Sequence, residues 1–389
     1  MGSASDSVGV YFDPSPENLA TLLSADHRAT KNGPAMNSRE NAQGPLQRRV
    51  NVTGIPAQAM GLMVMLAVTI TAFAATTSEV TDFGSNPGNL SMFKYVPDSL
   101  RASPALVVAL HGCTQSATDY DNEPGWSTLA DRWGFVLLLP QQELLNNPYL
   151  CFNWFNGADP LDVGWPTNDQ DRDEGDALSI KHMIDKVKAD HGVDPRRVYV
   201  TGLSGGGAMS AVMLATYPEI FAGGAIIAGV PYKCTANSVE ALFSCGVDFN
   251  NEGQIPIKNL SPAQWGNRVR EATRYKGPWP KVSIWHGTAD KTVNPKNARE
   301  LVKQWTNVHG IGQTPVKDKV KGYVHEMYKD ASGDVVVERY IIAGMGHGTP
   351  VDPGQGRDQC GVVGKFTPDF KICASYYIGK FWGLDKAFP

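Results

Sequence analysis

The chain has 389 residues, of which 42% are hydrophobic and 19% are charged, as in an ordinary globular protein. Its formal net charge is −4, so no basic excess indicates a nucleic-acid partner. The chain is long enough to bury one large core or two smaller ones.

The N-terminal part differs in composition from the rest. Residues 1–58 are polar and lack apolar periodicity, which predicts a disordered leader. An apolar stretch over 59–74 ends in Ala72-Phe73-Ala74. It is shorter than the roughly 20 residues of a membrane span and is typical of a secretory signal peptide at 59–75. We therefore expect a secreted or periplasmic protein with no stable membrane association after cleavage; the alternative is an uncleaved membrane anchor.

Six cysteines follow this segment, an even number that suits an oxidising compartment. No Cys-x-x-Cys pair occurs, so a zinc site is not expected. Six cysteines allow 15 connectivities. Proximity favours Cys113–Cys151, Cys234–Cys245 and Cys360–Cys373, although free buried thiols remain the alternative.

The remaining chain, residues 76–389, alternates buried apolar runs with helical patterns. This alternation predicts an α/β fold with a mostly parallel sheet covered by helices on both faces. Residues 232–276 interrupt it and are expected to form an insertion over the working edge of the sheet. The expected strands are 105–110, 135–139, 196–203, 223–229, 281–287 and 335–342, and the expected helices are 125–133, 173–192, 208–218, 294–308 and 376–382.

The stretch "GLSGG" lies between an expected strand and an expected helix. It matches Gly-x-Ser-x-Gly, in which a sharp turn exposes a nucleophilic serine. A motif this short occurs by chance in a chain with 40 glycines, but the strand–turn–helix context favours Ser204 as the nucleophile over a small residue in a turn.

A serine nucleophile needs a base and an acid, which in this fold class follow it in the order Asp or Glu, then His. His347 is unlike the other seven histidines because it lies in a Gly-rich turn just beyond an expected strand. Asp290 lies in a tight turn after the expected strand 281–287. We therefore expect His347 as the base and Asp290 as the acid; a solvent-exposed turn histidine and a helix-cap aspartate are the structural alternatives.

The stretch "LHGCTQ" ends the first expected buried strand, where a backbone N–H can serve an oxyanion hole. The expected donors are the N–H groups of Cys113 and Gly205. A Cys113–Cys151 disulfide would hold this loop, although Cys113 could instead be a small buried hydrophobe.

Several longer stretches resemble the extracellular polyhydroxybutyrate depolymerase family of esterases, which includes feruloyl and acetylxylan esterases. They are "LHGCTQSATDY", "GWSTLADRWGFVLLLPQQ", "CFNWF", "WHGTADKTVNP" and "GMGHGTPVDP", together with the segment around Ser204. The resemblance implies an α/β-hydrolase fold, ester hydrolysis through an acyl-enzyme and no cofactor or metal. It carries the nucleophile to Ser204, the acid to Asp290, the base to His347 and an oxyanion amide to Cys113.

We expect substrate choice to depend on aromatic residues in loops near the working edge of the sheet. Trp126, Trp154, Phe155 and Trp165 suit a feruloyl ring or an apolar polyester chain, but each could equally pack in the core. The expected substrates are hydroxybutyrate polyesters or oligomers, or feruloyl and acetyl esters of plant polysaccharide. A serine peptidase of the same fold is disfavoured because no propeller-like repeat is visible. A non-catalytic binding protein is disfavoured because every triad member is present.

Overall fold

A ten-stranded sheet organises the part of the chain that the computed structural model describes, which is residues 75–155, 171–235, 244–248 and 255–386. The predicted leader and the apolar segment up to residue 74 lie outside these residues. In chain order the strands are β1 Ser78–Glu79, β2 Ser91–Tyr95, β3 Leu106–Leu110, β4 Val136–Gln141, β5 Val198–Leu203, β6 Gly223–Ile227, β7 Lys281–Gly287, β8 Val316–Val320, β9 Tyr323–Lys329 and β10 Val335–Ile342.

The strands lie in the order β1-β2-β4-β3-β5-β6-β7-β10-β9-β8. The six from β4 to β10 in this order run parallel to one another. The outer strands β1 and β2 on one side, and β9 and β8 on the other, pair antiparallel. The predicted mostly parallel sheet is confirmed, and the carboxyl ends of its parallel strands meet at one edge.

Helices join and flank these strands. Two of them begin with a capping box, in which Ser116 pairs with Asp119 and Ser261 pairs with Gln264. Gly192 takes the left-handed conformation that ends the helix Gly175–His191. The described helices are α1 Ala117–Asn122, α2 Trp126–Trp133, α3 Gly175–His191, α4 Gly205–Thr216, α5 Pro262–Glu271, α6 Asn297–Val308 and α7 Ala374–Trp382.

The sheet is buried on both faces, and successive side chains of β3 show why its sequence is continuously apolar. Val108 and Leu110 join one core with α3, α4, α5 and α6, whereas Val107 and Ala109 join the opposite core with α1, α2 and α7. All five residues of β3 are buried. Burial of each large apolar side chain contributes roughly 1.5–3 kcal/mol, so the parallel strands form a rigid base for the loops at their ends.

Part of the segment 232–276 lies beside the loop that follows β7. The Asp248 N–H donates to the Thr292 carbonyl at 2.7 Å, and Val247 forms a β-bridge with Val293. Its helix α5 packs against α6, where Trp265 Nε1–H donates to the buried carboxylate of Glu300 at 2.8 Å.

Candidate active site

Ser204 lies in the turn between β5 and α4 with φ 56° and ψ −116°. A non-glycine residue with positive φ is strained, at a cost of about 1–3 kcal/mol, and such strain is concentrated at functional sites. The turn is tied to the sheet because the Ser204 N–H donates to the Ile227 carbonyl of β6 at 2.9 Å. The geometry is that of a strand-to-helix elbow that exposes a serine hydroxyl.

Two glycines make this turn sterically possible. A Cβ on Gly202 would collide with the Gly206 carbonyl and lie 2.8 Å from the Leu110 carbonyl oxygen. A Cβ on Gly206 would collide with the Leu110 carbonyl and lie 2.5 Å from that of His111. The motif therefore needs glycine because helix α4 begins directly against the end of β3.

His347 and Asp290 meet although 57 residues separate them. His347 follows β10 and Asp290 follows β7, its parallel neighbour, so both emerge at the same edge. The two atoms His347 Nδ1 and Asp290 Oδ2 are 2.8 Å apart. The Asp290 side chain is fully buried, and that of His347 is 10% exposed.

The Asp290 carboxylate is held by donors on both oxygens. Its Oδ1 accepts the N–H groups of Thr292 and Val293, each at 2.9 Å. Its Oδ2 contacts His286 Nε2 at 3.1 Å as well as His347. Burial alone would raise the pKa of Asp290, but the hydrogen bonds from His286 and His347 outweigh it and hold that pKa well below its usual range. The site therefore keeps a buried negative charge next to His347.

The loop after β3 is fixed by a buried histidine. His111 Nδ1–H donates to the Gly112 carbonyl at 2.8 Å, and His111 Nε2 accepts the Gln142 N–H at 3.1 Å. Burial lowers the pKa of His111 to about 4, so the ring is neutral at pH 7. The Gly112 N–H donates to Gln115 Oε1 at 2.9 Å, which closes the loop around Cys113.

Cys113 and Gly205 are brought together at the start of α4. A Cβ on Gly205 would lie 2.9 Å from the Cys113 sulfur and 3.9 Å from the Cys113 backbone nitrogen. The disulfide Cys113–Cys151 joins this loop to the one after β4, and the Thr114 N–H donates to the Tyr149 carbonyl at 2.8 Å. The two backbone groups predicted as oxyanion donors are therefore neighbours.

A cavity of about 250 Å³ opens over these residues. Ser204 and His347 both line it, and its aromatic walls are Tyr149 and Phe366. Lys365 is the one lysine or arginine, and no carboxylate is present, among the described residues of the lining. The full described lining is Gly112, Cys113, Thr114, Gln115, Tyr149, Leu203, Ser204, Thr292, His347, Lys365 and Phe366.

Three of the four aromatic residues predicted to bind substrate are absent from the described lining of the cavity. Trp126 is fully buried and stacks on Trp382 with ring centroids 5.8 Å apart, so the expectation of substrate contact is corrected to a core role. Trp154 and Phe155 are also buried, pack edge to face at 5.4 Å, and are not among the described lining residues. Trp165 lies outside the described residues.

Sequence reasoning passed over His286, Lys365 and Phe366. His286 had a usable signal, since it stands four residues before Asp290 in "HGTAD", at the end of a buried strand. Lys365 and Phe366 carry no local sequence signal, because they reach the cavity from a loop far along the chain. In the structure the ring centroids of Phe366 and His347 are 6.3 Å apart.

Two further disulfides, Cys234–Cys245 and Cys360–Cys373, complete the pairing that sequence proximity favoured. Within the described ranges no group of acidic, histidine or cysteine side chains could hold a metal ion. The same ranges contain no helix long and apolar enough to cross a membrane.

The sheet order, the strained serine at the start of a helix and the His–Asp pair at neighbouring strand ends define a hydrolase of the α/β-hydrolase fold. Comparison with known proteins then gives the family. Residues 90–319 match the family described as Esterase PHB depolymerase. The chain belongs to this family and is a carboxylic ester hydrolase.

Individual relatives agree with this assignment. Poly(3-hydroxyalkanoate) depolymerase C of Paucimonas lemoignei is 50% identical over 82% of this chain and 73% of its own length. Feruloyl esterase B of Neurospora crassa is 36% identical over 77% of this chain and 96% of its own length. Among solved structures, an acetyl xylan esterase from Aspergillus awamori aligns with a TM-score of 0.61 and 25% identity, over 79% of this chain and 99% of that one.

Proposed function

We propose that Ser204, His347 and Asp290 form a catalytic triad that hydrolyses esters through an acyl-enzyme. The observation that carries this proposal is the 2.8 Å contact between His347 Nδ1 and Asp290 Oδ2, beside a cavity that His347 and Ser204 share. With its Nδ1–H committed to Asp290, the His347 ring keeps a lone pair on Nε2, the nitrogen that can accept the serine proton.

The reaction has two halves. Ser204 Oγ attacks the ester carbonyl carbon while His347 Nε2 takes the hydroxyl proton, and the carbonyl oxygen receives the π electron pair and becomes an oxyanion. Collapse of this intermediate breaks the bond to the alcohol oxygen, which leaves with the proton from His347. A water molecule then attacks the acyl-serine with His347 again as base, and the acid product and free Ser204 result.

The oxyanion is stabilised by the N–H groups of Cys113 and Gly205. Gly205 is the first residue of α4, and N–H groups at the start of a helix have no partner within it. On the Cys113 side, the neighbouring N–H groups of Gly112 and Thr114 are bonded within the structure. Loss of one such donor costs about 3–4 kcal/mol of transition-state stabilisation.

The substrate class that we propose is hydroxyalkanoate esters, as polyester or as oligomers. The 50% identity to a poly(3-hydroxyalkanoate) depolymerase supports it over the feruloyl and acetyl esters suggested by relatives near 36%. Lys365 supports it as well. A hydroxyalkanoate oligomer ends in a carboxylate, and the exposed Lys365 ammonium stands at the cavity, 5.0 Å from the Phe366 ring centre.

We also propose that the protein acts outside the cytoplasm, after removal of the apolar segment at 59–75. Three disulfides fit an oxidising compartment.

A side-by-side assay tests the proposed function. Purified protein is given hydroxybutyrate oligomers, methyl ferulate and acetylated xylan at equal ester concentrations, with Ser204→Ala as the blank. The expected result is fastest cleavage of the oligomers and a loss of several orders of magnitude in the variant. Retained activity in the folded variant would remove Ser204 from the mechanism, and preference for ferulate or acetyl ester would overturn the substrate assignment.

A further inference from the structure

His286 is a buried histidine with a direct contact to the proposed catalytic acid. It occupies the penultimate position of β7, and its side chain is 4% exposed. Its Nε2 lies 3.1 Å from Asp290 Oδ2 and 3.0 Å from the Val293 carbonyl oxygen. Both of these atoms are acceptors, so the hydrogen of the His286 ring must be on Nε2, where it is shared between them.

His286 Nδ1 is buried and meets no donor or acceptor among the described residues. The hydrogen-bonding atom in use on the ring is therefore Nε2, whose hydrogen is directed to Asp290 and Val293. Asp290 Oδ2 also contacts the other histidine, His347.

We propose that His286 is a positioning residue, whose Nε2–H holds the Asp290 carboxylate and the turn to Val293 so that Oδ2 faces His347. This inference rests on the proposed triad. Without the His286 donor, Asp290 Oδ2 would keep His347 as its partner among the described residues, and the carboxylate would be held less firmly, by its Oδ1 bonds and His347 alone. His347 would then lose the fixed orientation that keeps Nε2 toward Ser204.

The position also explains why a histidine is used instead of an apolar residue. The Val293 carbonyl that shares the hydrogen belongs to the turn that provides two N–H donors to Asp290 Oδ1. One ring therefore links both ends of the hydrogen-bonded loop, and Thr292 in the middle of that loop lines the cavity.

A double-mutant cycle on the full-length protein tests the proposal. His286→Leu removes the donor at similar volume, and His286→Gln restores an N–H near the position of Nε2. In the native background we expect His286→Leu to lower kcat roughly ten- to a hundredfold with KM changed less than about twofold. His286→Gln should recover most of that loss. In an Asp290→Asn background, His286→Leu should change kcat less than about twofold, because its effect passes through Asp290.

His309, which follows α6, offers a matched control because its ring contacts the backbone at the other end of β7. Its Nε2 contacts the Pro280 carbonyl oxygen at 3.0 Å, just before β7 begins. His309→Leu also removes a partly buried histidine–carbonyl bond and should leave kcat within about twofold. Thermal unfolding of each variant separates loss of fold from loss of rate.

The outcomes separate this inference from the proposed triad. If Ser204→Ala abolishes hydrolysis but folded His286→Leu has native kcat, or loses equal activity with and without Asp290, the positioning role is overturned. If Ser204→Ala remains active, the triad itself fails, whatever the cycle shows.

Discussion

At the scale of single residues, the site depends on where parallel strands end. Ser204, Asp290 and His347 follow β5, β7 and β10, and the Cys113 loop follows β3. The Asp290 side chain takes its orientation from two N–H groups of its own loop, and it contacts His347 on the next loop in turn. The carboxylate is therefore oriented within its own loop, but the site forms only when the sheet brings the ends of these strands together.

Lys365 makes a prediction about substrate choice. We expect Lys365→Gln to lower kcat/KM for the free acid of a hydroxybutyrate dimer roughly three- to fivefold, mostly through KM, because an exposed ion pair contributes at most about 1 kcal/mol. The methyl ester of the same dimer should be unaffected, since it carries no carboxylate. Steady-state kinetics at low and high salt measure the difference, which should shrink as salt screens the charge.

Lys319→Gln is the control for that variant, because Lys319 is also an exposed lysine but lies on the outer strand β8. Equal losses of kcat/KM for the acid and the methyl ester, or the same loss in the control variant, would show that Lys365 does not bind the substrate carboxylate.

At the scale of elements, the sequence predicted the central strands and most helices, because apolar runs and helical periodicity report burial directly. The strands it missed lie near the edges of the sheet. β2 is only partly buried, and four of the five residues of β8 are exposed, so neither shows an apolar run. Which side of a helix faces the core depends on tertiary packing. For this reason the sequence predicts Trp126 on α2 at the substrate, whereas the structure packs it against Trp382.

The loop after β3 gives a pH prediction. Because the fully buried His111 has a folded pKa of about 4, below its unfolded value of about 6.5, the unfolded chain binds its proton first as the pH falls. The contribution of His111 to the free energy of unfolding is therefore complete above about pH 6.5 and is lost between that pH and pH 4. The total loss is about 3 kcal/mol. Unfolding free energies of the native protein and of His111→Asn, measured from pH 7 to pH 4, isolate this contribution.

Between pH 7 and pH 4 the free energy of unfolding of the native protein should fall by about 3 kcal/mol more than that of the variant. A constant difference between the two proteins over the same range would mean that burial does not hold His111 neutral.

At the scale of the whole molecule, the family, the fold and the order of the site residues are all readable from the sequence. Fold class follows from the alternation of strands and helices, and the triad candidates follow from the ends of strands. The residues of the cavity wall cannot be predicted in this way, because Tyr149 and Phe366 come from loops 217 residues apart. The second histidine on Asp290 has a sequence signal in its position four residues before the acid, but its contact to Oδ2 through Nε2 depends on the folded turn.

Export is a property of the whole chain and is tested on the protein as it is made. N-terminal sequencing of the protein recovered from outside the cell should begin close to Ala75, because Ala72-Phe73-Ala74 suits signal peptidase. A mature N-terminus upstream of residue 59 would exclude removal of a signal peptide at this position.

The central claim is that Ser204 is the nucleophile, and covalent labelling tests it most directly. The native protein is inactivated with an organophosphonate ester, digested and analysed by mass spectrometry, alongside Ser204→Ala. The account predicts one adduct, on Ser204, formed in step with the loss of esterase activity and absent from the variant. Inactivation with Ser204 unmodified, and the adduct on another residue, would contradict it.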